Sequence, residues 1–118
     1  MPTKEYYLEQ IEKEFATARK ALSDGNTGMA RVCARRATGA AISWYLSKNP
    51  KNGWKSDAMN LLSNLKNDSQ FPEEIRGAAA RLTTKISEKF TYPFSTDPIS
   101  DAKIITDYIT RLMSSDDI

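Results

Sequence analysis

The stretch Thr27-Gly28-Met29-Ala30-Arg31-Val32-Cys33-Ala34-Arg35-Arg36-Ala37-Thr38-Gly39-Ala40-Ala41-Ile42-Ser43-Trp44-Tyr45-Leu46-Ser47-Lys48 decides the fold. It contains no proline, and Asn49-Pro50-Lys51-Asn52-Gly53 closes it with strong turn residues. Met29, Cys33, Ala37, Ala40 and Trp44 recur at helical spacing and form one stripe. Ile42 and Leu46 fall roughly 160° from that stripe at 100° per residue. A helix with apolar residues on two sides is either central in its own domain or also meets a second subunit. Gly39-Ala40-Ala41 offers small side chains where another helix can approach closely. Thr38, Ile42 and Leu46 are therefore the candidate interface for self-association.

Working outward, the same periodicity continues on both sides. Leu8, Ile11, Phe15, Ala18 and Leu22 make one stripe on a first helix, which Ser23-Asp24-Gly25 ends. Thr27 is the expected N-cap of the second helix and Ser56 that of a short third helix carrying Ala58, Leu61, Leu62 and Leu65. Asn67-Asp68-Ser69-Gln70 breaks that helix. Pro72 reads as the first residue of a fourth helix carrying Ile75, Ala78, Ala79, Leu82, Ile86 and Phe90, with Glu73 and Glu74 at its positive end. Tyr92 to Thr96 reads as a loop, and Asp97-Pro98 opens a fifth helix with Ala102, Ile105, Tyr108, Ile109 and Leu112. Ser114 to Asp117 read as frayed. No segment alternates long enough for a strand. The expected fold is all-α: one domain over residues 1–118, an up-and-down antiparallel bundle of four long helices plus one short helix.

Charge is segregated along the chain. Between Gly25 and Ser56 there are six basic residues and no acid, a +6 band. Residues 1–24 hold four basic and five acidic groups, and residues 57–118 hold seven and ten, giving −1 and −3. A positive surface of this kind attracts anionic partners. Arg31 and Arg35 are four apart and share a face, while Arg36 points about 100° away. With Lys48, Lys51 and Lys55 they are the candidate phosphate or nucleic-acid contacts, and Trp54 is a candidate stacking platform. The competing expectation is that Arg31 and Arg35 pair with the surplus acids of the first and fifth helices, and that Trp54 folds back onto the core. Gly25-Asn26-Thr27-Gly28 precedes a helix N-terminus, where phosphate can bind, but reads more simply as an interhelical turn.

Little in the chain resembles catalytic chemistry. It has no histidine and one cysteine, which removes histidine general bases, histidine metal sites and cysteine zinc sites. Asp101 and Asp107 are six apart and do not share a face. There is no G-x-x-x-x-G-K-[ST], and no strand for a G-x-G-x-x-G to follow. Cys33 sits on the apolar stripe and reads as an inert buried thiol. No enzyme activity and no cofactor are expected. The single thiol, the N-terminus without an apolar core and the lack of any long apolar run lead to the expectation of a cytoplasmic protein with no membrane partner.

Two stretches resemble the HEPN (higher eukaryotes and prokaryotes nucleotide-binding) domains. One is Ala30-Arg31-Val32-Cys33-Ala34-Arg35-Arg36-Ala37-Thr38-Gly39-Ala40-Ala41, similar to that family's small-residue-rich helix after a glycine-containing turn. The other runs from Ala80 through Tyr92-Pro93 to Asp101-Ala102-Lys103-Ile104-Ile105, similar to the aromatic-proline loop and final helix of HEPN proteins that accompany nucleotidyltransferases. The resemblance implies an all-α bundle, frequently a homodimer, working beside a nucleotidyltransferase-type partner or in a toxin–antitoxin setting. Many members are ribonucleases using an arginine followed four to six residues later by histidine. Here neither Arg76 nor Arg81 has such a histidine, so the resemblance implies a member without that activity. Two readings follow: a non-catalytic module that self-associates or docks a protein partner, or a binder of RNA or nucleotide through the basic second helix and the loop after it.

Overall fold

The computed structural model describes residues 2–84, 94 and 97–115. They form five helices: α1 (Lys4–Ser23), α2 (Thr27–Lys48), α3 (Ala58–Lys66), α4 (Glu73–Thr83) and α5 (Pro98–Ser115). No strand occurs among the described residues, and no helix there is long and apolar enough to cross a membrane.

Local chemistry sets the boundaries. Thr3 Oγ1 accepts the Tyr6 N–H and starts α1; Gly25, at φ +80°, lets the chain leave it. The start of α2 differs from expectation by one residue. Asn26, not Thr27, is the N-cap, and its Oδ1 accepts the Met29 N–H at 3.0 Å. The α3 cap shifts likewise from Ser56 to Asp57, whose carboxylate accepts the Asn60 N–H at 3.1 Å. Pro72 caps α4 rather than being its first residue; its carbonyl accepts from the N–H groups of Ile75 and Arg76. Asp97 caps α5 through Ser100, with Pro98 at the first position, as the sequence predicts.

The fourth helix ends earlier than its periodicity suggests. Thr83 is its last residue and Thr84 is extended. The Thr83 and Thr84 hydroxyls bond back to the carbonyls of Ala79 and Ala80, at 2.8–3.1 Å, and two adjacent β-branched residues of this kind favour leaving the helix. The expected continuation of this helix through Ile86 to Phe90, the expected loop at Tyr92-Pro93 and the expected fraying at Asp116 and Asp117 fall outside the described residues. Ser114, expected to fray, is helical.

The second helix is the hub. It packs against α1, α3 and α5. Tyr7, near the start of α1, stacks on Trp44, near the end of α2, so these two run antiparallel. Arg81 at the end of α4 meets Asp101 at the start of α5, so that pair is antiparallel too. Tyr45 of α2 and Tyr108 of α5 both lie edge-on to Phe71, which places the C-terminal halves of α2 and α5 side by side. Gly39 lies against Ala58 at the start of α3. A Cβ there would stand 3.2 Å from the Ala58 Cβ, so the missing side chain is what lets α3 sit against α2.

The core is alanine-rich on α2 (Ala34, Ala37, Ala41) and leucine-rich on α3 (Leu61, Leu62, Leu65). Three large residues of the predicted stripes, Leu22, Met29 and Leu112, are exposed instead of joining it. Leu22 and Met29 flank the α1–α2 turn, where the chain reverses before either can be covered, and Ala21 and Ala30 are buried instead.

Candidate functional site

The candidate interface residues are placed first by burial. Thr38 is fully buried and Ile42 is 1% exposed, so the second apolar side of α2 is used inside the chain. Thr38 satisfies its hydroxyl by donating to the Arg35 carbonyl at 2.6 Å. Only Leu46 of the three is half-buried, and it packs against the core cluster. The central-helix alternative accounts for the pattern, and Thr38 and Ile42 have no surface with which to meet a second subunit.

The six basic residues separate into distinct environments. Lys51 is internally engaged. Its Nζ donates to Asp68 Oδ2 at 2.7 Å and to Gln70 Oε1 at 2.8 Å, and it lies 5.5 Å from the Trp54 ring centre. Burial alone would raise the Asp68 pKa, but the hydrogen bonds from Lys51 and the Gln70 N–H, with Lys51's charge, outweigh it and hold the carboxyl below its ordinary value. The Asn67-Asp68-Ser69-Gln70 stretch, read as a helix breaker, is thus also the clamp on Lys51. Trp54 is half-buried and packs against the core, as the simpler expectation held, with Lys51 over its ring. Lys48 and Lys55 are exposed.

Arg31 and Arg35 are different. Both are half-buried, they lie one turn apart on the same face, and neither forms an ion pair among the described residues. The expected pairing with acids of α1 and α5 does not occur there. The Arg31 Nε is closed off from solvent and has no hydrogen-bond partner. Burial, and then the charge of Arg31, pull the Arg35 pKa below its ordinary value. Arginine still stays protonated at neutral pH. The first turn of α2 holds no acid.

Arg36, around the helix, is exposed and sits with Glu14 beside the buried Cys33. Burial first, then Glu14's charge, raise the Cys33 thiol's pKa against the opposing effect of Arg36, which suits an unreactive core cysteine. The Gly25–Gly28 turn is an ordinary connection, with Asn26 already occupying the Met29 N–H.

Two features have no counterpart in the sequence reading. Arg81 donates to the fully buried Asp101 from Nε at 3.0 Å and Nη2 at 2.9 Å. A cleft of about 360 Å³ lies among Tyr45, Asn49, Gln70, Phe71, Tyr108 and Leu112. It is remote from the arginine pair: Tyr45 is ten residues from Arg35, about 15 Å along the helix. Both depend on contacts between residues distant in sequence, which spacing does not report. No protein-family model, curated protein or solved structure matches the chain.

Proposed function

We propose that the chain is a non-catalytic HEPN-type helical module that binds a phosphate-bearing ligand, RNA or nucleotide, through the Arg31–Arg35 face of α2. One observation carries this reading: two half-buried arginines share a face, the Nε of one is shielded, and no carboxylate among the described residues pairs with them. Buried polar groups are nearly always satisfied, and arginine pairs naturally with the planar, multi-acceptor geometry of phosphate. A fold that keeps such a pair without an internal acid is arranged for an external anion.

Self-association, or docking of a nucleotidyltransferase-type partner, is weakened as a reading by the burial of Thr38 and Ile42. Leu46 alone is a small anchor.

Retardation of single-stranded RNA and of a fluorescent nucleotide at low ionic strength tests the proposal. Binding should weaken steeply with added salt, and Arg31→Ala with Arg35→Ala should lower affinity at least tenfold. It should also flatten the plot of log affinity against log salt by about one unit or more. The absence of salt-sensitive binding to either ligand would remove the proposal.

A further inference from the structure

We infer that the Arg31–Arg35 pair receives a single terminal phosphoryl group, a phosphate monoester dianion, rather than the internal diesters of a strand. The inference rests on the binding reading above and narrows its ligand.

Spacing sets the stoichiometry. Side chains four apart on a helix have Cβ atoms about 5–6 Å from each other, so both guanidiniums can converge on one phosphorus centre. They bring two positive charges. A terminal phosphate carries about −1.5 to −2 at pH 7 and presents three strong acceptor oxygens. An internal diester carries one charge and two free oxygens, which leaves one arginine under-compensated in a half-buried place. Burial first, and then the charge of Arg31, already disfavour the charged form of Arg35, which makes that shortfall costly.

The remainder of the basic band does not extend a track for a polymer. Lys48 is thirteen residues from Arg35, about 20 Å along α2, and about 140° around it. Lys51 is held by Asp68 and Gln70. Arg36 points away and lies by Glu14 and Cys33. A strand crossing the Arg31–Arg35 face would therefore meet one strong phosphate position and then no regularly spaced successor on that helix. A terminal phosphate needs only the one position.

The test uses the full chain and four probes at matched ionic strength: inorganic phosphate, a nucleoside 5′-monophosphate, and one ten-nucleotide RNA with either a 5′-phosphate or a 5′-hydroxyl. The 5′-phosphorylated RNA should bind at least tenfold tighter than its 5′-hydroxyl form, and inorganic phosphate should compete with it. Arg35→Ala and Arg31→Met should each erase that preference. If the monophosphate and inorganic phosphate bind but neither RNA does, the monoester slot stands and its source is a free nucleotide. Equal affinity for the two RNAs, unmoved by phosphate, overturns the inference while leaving the broader binding proposal intact. Failure of all four probes at low salt overturns both.

Discussion

Replacing Phe71 by alanine should destabilise the fold by about 4 kcal/mol, the range for removing a buried phenyl group. Phe71 lies in the short α3–α4 connection and is 4% exposed. Its ring meets Tyr45 of α2 at 5.4 Å and Tyr108 of α5 at 6.1 Å, both edge-on. Such pairs add about 0.5–1.5 kcal/mol beyond area burial. The phenyl group is thus the wedge that keeps the C-terminal halves of α2 and α5 together, and its carbonyl also accepts from Arg76 Nε at 3.1 Å. Urea unfolding of Phe71→Ala and Phe71→Leu would check this. Leucine should recover roughly half of the loss. A cost below about 1 kcal/mol for alanine would mean that the two helices are held without this wedge.

The second large effect is expected at the α4–α5 crossing. Asp101→Ala should cost about 3 kcal/mol, because a charge-assisted pair reaching a fully buried carboxylate is broken while the guanidinium stays. The double variant Arg81→Met with Asp101→Leu should return most of that stability, since well-packed apolar groups commonly replace buried ion pairs at little cost. Denaturant midpoints for the single and double variants decide it. If the double variant is as unstable as the single one, Asp101 acts through other contacts and not chiefly through Arg81.

These two groups also show where the sequence could and could not be read. Caps were legible because they are local. Asp97-Pro98, the Ser23–Gly25 stop and the polar break after Leu65 all act within a few residues. The one-residue shifts at Asn26 and Asp57 arose because Asn, Asp, Ser and Thr are all good caps, so residue type does not rank two adjacent candidates. The early end of α4 was hidden by an apolar pattern that continued through Ile86, while the Thr83 and Thr84 hydroxyls, a local signal, argued the other way. The two-sided apolar character of α2 was visible, but a third helix of the same chain and a second subunit leave the same pattern. The burial of Thr38 and Ile42 decided in favour of packing within the chain. The Arg31–Arg35 register followed from counting residues. That no carboxylate of the described residues pairs with either arginine depends on how the other helices are arranged, which no local pattern contains.

On the proposed reading, Arg31 serves a ligand and is carried by the fold at some loss of stability. The melting temperature of Arg31→Met against the parent chain, in buffer without phosphate or sulfate, tests it most directly. Methionine keeps the apolar stem while removing the shielded Nε and the charge beside Arg35. The variant should gain about 1 kcal/mol, a rise of a few degrees. A fall of similar size would make Arg31 a structural member of this bundle and contradict the account.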